Sequence, residues 1–403
     1  MCVRSKHVDL PLLICNIWYV DNWMQGAGRS KTPGMDVPLH ASRISDRISA
    51  LDGLRALLAI AISAYHMGAP GLQSAVLALP VFYALSGTLI TSLLLAEVRR
   101  HRRVRLGRFV LNRLLRIAPP VLVLTAVVAL LWPWVGGYGG STTDLGLAAG
   151  LALTWTTNLG RAYFGIHQGV FDPLWSLSAE EQFYVFWPAL AALMLPVVRR
   201  RHVLLWILGG IVLLGPLSCI PFALPSPDAG PSAVYYAPPV SMSSLASGCL
   251  AALVLDHLRQ RERWSARAGR IATWGGLGSL VTLALLMPSQ WKSDPVVILG
   301  AVPAAGFVAA VFIAGLGTAD TAAARVLAWR PLAWFGARAS YSLYLWHLVV
   351  LALIEPRIDG VLGRAIALGV ALVVGVLGGV LVEVPTDRLR RRVLRPTPRP
   401  VPA

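Results

Sequence analysis

Charge is what this sequence has little of. Asp, Glu, Lys and Arg make up only 14% of its 403 residues, hydrophobic residues make up 56%, and the mean hydropathy is +0.63. Soluble domains carry about a quarter charged residues, so a large water-exposed body is excluded. Acidic residues are scarcest, 19 against 36 basic ones, for a formal net charge of +17. The basic surplus sits in short clusters between apolar runs, without the aromatic-basic modules of RNA binders, which argues against a nucleic-acid partner. Cysteine is also sparse. Cys2, Cys15, Cys219 and Cys249 show no CxxC-type spacing, so neither a disulfide framework nor a metal site is expected.

What is abundant is apolar sequence in runs of membrane-crossing length, about 20 residues each. Eleven candidates follow one another: 53–70, 76–96, 109–131, 144–158, 179–198, 203–222, 236–257, 271–288, 296–317, 339–355 and 363–384. If all crossed, the basic stretches at 199–202 and 259–270 would face opposite sides, against the positive-inside rule. If the short fourth candidate dips in without crossing, every basic loop falls on the cytoplasmic side. The expected fold is therefore all-α, a polytopic bundle of about ten transmembrane helices with one extra short re-entrant or outer helix. Both termini face the cytoplasm of a bacterial cell, in its inner membrane. Residues 1–50 read as a poorly ordered or interfacial extension, 51–385 as the membrane domain and 386–403 as a basic Pro/Arg-rich tail. An Ala-, Arg- and Gly-rich composition suggests a high-GC bacterium.

The first span, "LDGLRALLAIAISAYH" at 51–66, keeps Arg55 and His66. Eleven residues of helix amount to about 1100° of rotation, so the two side chains project within about 20° of each other, about 16 Å apart along the axis. An ionisable side chain inside the membrane costs about 3 kcal/mol on insertion scales. Taken singly, Arg55 reads as a snorkelling arginine and His66 as a hydrogen-bonded core histidine; their common face shifts both toward function.

Five stretches in order carry a family resemblance. Arg55 and His66 match an Arg-x10-His signature, followed by "VFYALSGTLI" around Ser86-Gly87 and "RFVLNRLLRIAPP" with Arg113 and Arg116. "WSLSAEEQFYVFWP" at 175–188 and "SYSLYLWHLVV" at 340–350 complete the set. The chain thus resembles the acyltransferase-3 family of integral membrane O-acyltransferases over residues 51 to about 385, in a short form without an appended esterase-like domain. Thr88 stands where a phenylalanine is common in that family.

The resemblance implies an acyl-CoA-dependent O-acyltransferase, moving a short acyl group such as acetyl to a hydroxyl on an envelope glycan, a glycolipid or a glycosylated secondary metabolite. It implies no permanently bound cofactor; acyl-CoA is a donor substrate, and membrane lipids surround the chain. Such a transfer needs a base for the hydroxyl proton, a site for the oxyanion and a hold on the donor's anionic end. His66 is the expected catalytic imidazole, as base or as acyl carrier. Glu180 is expected to orient it or to bond a sugar hydroxyl. Arg113 and Arg116, neighbours at i and i+3, are expected with Arg55 to grip donor phosphates. Ser86, Trp175, Ser178, Tyr184 and His347 complete the expected substrate site, although Ser178 also reads as a helix cap, the aromatics as an interfacial belt and His347 as a structural hydrogen-bonding residue. The rival reading is a proton-coupled transporter using the same buried residues as a relay. No similarity between the two halves of the sequence supports the inverted repeats common in transporters.

Overall fold

The computed structural model describes residues 39–223, 230–288, 291, 294–358 and 360–394. The expectations for residues 1–38 and 395–403 lie outside the described residues. Among the described residues there is no strand. Helices α1 (Leu39–His66), α2 (Ala78–His101), α3 (Leu106–Val135), α4 (Leu145–Leu153), α5 (Thr157–Phe164) and α6 (Leu174–Met194) form the first half. They are followed by α7 (Val198–Leu217), α8 (Gly230–Tyr236), α9 (Pro238–Gln260), α10 (Ala266–Leu285) and α11 (Val302–Leu316). The chain then runs through α12 (Ala322–Leu327), α13 (Arg330–Arg338), α14 (Ser340–Ile354), α15 (Gly360–Gly378) and α16 (Val384–Val393).

Six helical stretches among the described residues are long and apolar enough to cross a membrane, and a seventh if α13 and α14, bent by 70°, count as one. Helices α1, α6 and α10, at 28, 21 and 20 residues, are also of spanning length but more polar. Helix α4 has only nine residues, about 14 Å of rise, too short to cross. That is the segment expected to dip in.

Three boundaries differ from the expectation. Helix α1 begins at Leu39, inside the stretch read as an extension, and ends at His66. A hydropathy count misses its start because Arg43, Asp46 and Arg47 interrupt the apolar residues. Its end is set by "GAPG": Gly68 and Gly71 take φ of 69° and 77°, and Pro70 disfavours helix at the residue before it. His66 therefore closes the helix instead of lying deep within it. Helix α6 begins at Leu174, with Pro173 as its N-cap, so Ser178 lies a full turn inside and caps nothing.

Helices pack closely where glycines face backbone. Helix α2 lies along α9, and a β-carbon on Gly87 would run into the Leu245 carbonyl while one on Gly248 would run into the Ala84 carbonyl. Such small-residue contacts replace the hydrophobic driving force that lipid removes. Thr88 Oγ fits the same seam, donating to the Ala84 and Gly248 carbonyls at 2.8 and 3.2 Å, a bond that a phenylalanine at this position lacks. At the basic end of the bundle, Gly53 and Gly336 let α1 meet α12 and α13, with the Leu327 and Asp52 carbonyls in the space their β-carbons would fill.

Candidate active site

Helices α1, α3, α6 and α14 bring the chemistry-bearing residues together along one seam. At the non-basic end, His347 on α14 is fully buried and its Nε2 lies 2.9 Å from His66 Nδ1. The rings are nearly parallel, with centroids 5.0 Å apart. His347 Nδ1 lies 2.7 Å from the Tyr344 carbonyl oxygen. A carbonyl only accepts, so His347 Nδ1 carries a proton, and in the neutral ring Nε2 is then an acceptor. His66 Nδ1 must donate to it. The tautomer of neutral His66 follows: its proton is on Nδ1 and its lone pair on Nε2. His66 is an exposed residue, so this basic imidazole sits where a substrate can reach it while its orienting partner does not.

The fully buried imidazole is thus the hydrogen-bond partner of His66, a contact that sequence reasoning placed only loosely, as a substrate contact or a structural bond. Glu180, the expected orienting carboxylate, serves elsewhere. It accepts hydrogen bonds from Ser86 Oγ and Tyr184 Oη on the same oxygen and pairs with Arg113 at 3.5 Å. Arg113 also donates from Nε to Glu181 at 3.2 Å and lies 3.5 Å above the Tyr184 ring centre. Tyr184 is buried beneath it and offers no sugar-stacking face.

The expected pair of donor-gripping arginines is therefore split. Arg113 is neutralised by two carboxylates and a ring, whereas Arg116 is exposed and, among the described residues, has no ion-pair partner. Arg55, Arg113 and Arg390 lie within electrostatic reach of Arg116, as do the acidic groups Glu383, Glu181 and Asp52. Arg55 pairs with Asp52 at 3.0 Å, and Asp52 also feels Arg116 and Arg338. The neighbouring Arg55, Arg113 and Arg390 are each ion-paired, so Arg116 is a cation left to attract an anion. Glu383 is drawn away by a π-helical turn at Gly379–Glu383: it accepts from the Ser342 backbone N–H at 3.0 Å and from its hydroxyl, capping α14.

Between the two ends lies a group of hydroxyls around Ser176 that sequence reasoning missed. Tyr344 Oη donates to the Pro173 carbonyl at 2.7 Å and meets Ser176 Oγ at 2.5 Å, and Tyr83 Oη donates to the Ser176 carbonyl at 3.2 Å. Glu180 is within electrostatic reach of both tyrosines. The signal lay inside the quoted motifs, at Ser176 of "WSLS" and Tyr344 of "SYSLY". Of the remaining expected residues, Trp175 is buried among aromatics, 5.0 Å from Tyr235 and 4.9 Å from Tyr236 between ring centres. Ser178 is buried with no hydrogen-bond partner for its hydroxyl. Neither is presented to a substrate in this structure.

The motif residues meet in one seam, and the chain as a whole matches a family model described as an acyltransferase domain, over residues 48–384. The chain belongs to this acyltransferase family. Among curated relatives of this membrane acyltransferase, it is 26% identical over 322 residues to a peptidoglycan O-acetyltransferase, OatA, of Listeria monocytogenes, covering 77% of this chain and 50% of that one. It is 29% identical over 319 residues to the O-acetyltransferase OatA of Staphylococcus aureus, covering 76% and 51%. The chain spans about half the length of the curated relatives it matches. No solved structure matches it. Nothing in these matches speaks for a proton-coupled transporter.

Proposed function

We propose that this membrane acyltransferase moves a short acyl group, acetyl in the first instance, from an acyl-CoA thioester to a hydroxyl of a carbohydrate in the cell envelope. The relatives named as O-acetyltransferases support the acyl group, and the Listeria relative named for peptidoglycan supports the acceptor class. The observation that carries the mechanism is the hydrogen-bonded line from the Tyr344 carbonyl through His347 to His66.

In this reading the donor's phosphates rest on Arg116 with Arg55, at the end of the bundle that carries the basic loops and faces the cytoplasm of the inner membrane, as both termini do. The thioester arm follows the face of α1 toward His66, a rise of about 16 Å. His66 Nε2 takes the acceptor's hydroxyl proton as the oxygen attacks the thioester carbonyl, the C–S bond breaks, and the departing thiolate receives that proton from the imidazolium. His347 accepts from His66 Nδ1–H throughout, holding the ring in the competent tautomer as an orienting group does in a catalytic triad. Arg113, Glu180, Glu181, Ser86 and Tyr184 form the ion-paired and hydrogen-bonded brace that joins α2, α3 and α6 behind the seam. The test is purified protein in nanodiscs with radiolabelled acetyl-CoA and muropeptides as acceptor. A base-labile acetyl ester on the sugar supports the assignment. A folded protein that neither binds nor consumes any short acyl-CoA overturns it.

A further inference from the structure

The two basic stretches that oriented the expected topology, at 199–202 and 259–270, play no part in the reaction seam, yet the first of them and the start of the second converge. The start of α7 and the ends of α2 and α9 enclose a cavity of about 220 Å³ lined by Arg201, His202, His257 and Arg261 above a floor of Leu95 and Leu253. That is room for far more than a bridging water.

The charge of the cavity is not balanced from within. Its acidic member, Asp256, is already taken, accepting from Arg99 and, at 2.8 Å, from Gln260 Nε2. Arg201 donates its Nε to the Leu195 carbonyl at 3.2 Å, which fixes the guanidinium without neutralising it. Among the described residues no carboxylate pairs with Arg201 or Arg261. His202 and His257 are exposed beside them. Two uncompensated guanidinium groups with two imidazoles suit a phosphate ester, which Arg binds bidentately.

The surroundings specify which phosphate. His202 and Trp206 lie at i and i+4 on α7, and Val254 and His257 lie at i and i+3 on α9 with Arg261 just past its end, so each basic row continues one turn deeper as an apolar one. Trp206 is 82% exposed and Val254 39%, as expected of side chains facing lipid. A ligand with a phosphate head and acyl chains uses both levels, whereas a free phosphate uses only the upper one. We infer that Arg201, His202, His257 and Arg261 bind the headgroup phosphate of one anionic phospholipid in the leaflet on the basic side, with its chains along Trp206 and Val254. This site is separate from the arginines assigned to the donor and stands whether or not the acyl-transfer reading does.

Native mass spectrometry of the full chain released from nanodiscs of mixed phosphatidylglycerol and phosphatidylcholine tests it. The expected result is one retained phosphatidylglycerol, preferred at least tenfold over phosphatidylcholine, and lost in the Arg201→Gln/Arg261→Gln double variant but kept in Arg267→Gln on exposed surface. Separate arms add millimolar inorganic phosphate or CoA, and neither is expected to displace the lipid. Equal retention of the two lipids, loss in the Arg267→Gln control to the same degree, or displacement by CoA or phosphate overturns the lipid assignment; displacement by CoA reassigns the cavity to a soluble phosphate ester. Thermal unfolding of the double variant in phosphatidylcholine alone, expected unchanged, separates lost binding from lost folding.

Discussion

Replacing His347 separates its two hydrogen bonds and so tests the tautomer argument. An asparagine places its amide nitrogen near the position of Nδ1, keeping the bond to the Tyr344 carbonyl while losing the acceptor for His66. A glutamine extends far enough to place an amide oxygen near the position of Nε2, keeping the acceptor while losing the carbonyl bond. An alanine loses both and leaves a cavity in a fully buried site, destabilising the fold by about 2–4 kcal/mol by analogy with large-to-small core changes. Releasing His66 Nδ1–H frees the ring to turn and to exchange tautomers. A hydrogen bond of about 1–3 kcal/mol is lost from the competent geometry, which corresponds to roughly a 5- to 140-fold fall in turnover at about 1.4 kcal/mol per decade. The assay is turnover of radiolabelled acetyl-CoA in nanodiscs, with kcat and KM measured separately. His347→Gln is expected within about tenfold of wild type, and His347→Asn and His347→Ala at the lower level, all with KM for the donor unchanged because His347 touches no donor phosphate. If His347→Asn matches or exceeds His347→Gln, or if the loss falls on KM, the orienting role is refuted and the residue is a structural histidine.

Arg116→Ala is expected to raise KM for acyl-CoA by about tenfold or more with kcat little changed, since it removes a hold made equally in ground and transition states. Arg113→Ala is expected to act on stability instead, leaving Glu180 and Glu181 without their cation at a cost of about 3–5 kcal/mol, read as a fall in melting temperature in nanodiscs; a pure KM effect would return Arg113 to the donor site. Gly248→Val is expected to disrupt the α2–α9 contact and lower the yield of folded protein. Gly150→Ala, whose added carbon meets nothing within 4 Å, is expected to be neutral or to stabilise by about 0.5–1 kcal/mol, with equal melting of the two variants contradicting the packing account.

Much of the all-helical fold was legible because lipid forces it to be: apolar run length reports the long apolar helices directly. Helix ends were less legible. The start of α1 is interrupted by Arg43, Asp46 and Arg47 and so weak in a hydropathy window, and the start of α6 is set by Pro173 and not by the Ser178 and Glu180 that resemble a cap. Within the site, the periodicity of one helix put Arg55 and His66 on one face, and the unbroken α1 keeps them there. Contacts between helices have no such local signature. Which carboxylate meets which arginine, and that His66 meets His347 across 281 residues of sequence, depends on how α1, α3, α6 and α14 turn against one another. The substrate-facing roles expected for Trp175, Ser178 and Tyr184 gave way for the same reason, because neighbouring helices bury all three.

The most direct measurement is single-turnover acyl transfer by His66→Ala beside wild type, in protein shown to be folded and to bind CoA equally. The account predicts that donor affinity survives within about twofold while transfer falls by at least 10²-fold, the range of a lost general base. Transfer at the wild-type rate by a folded His66→Ala protein would contradict it, and would move the chemistry away from the histidine pair altogether.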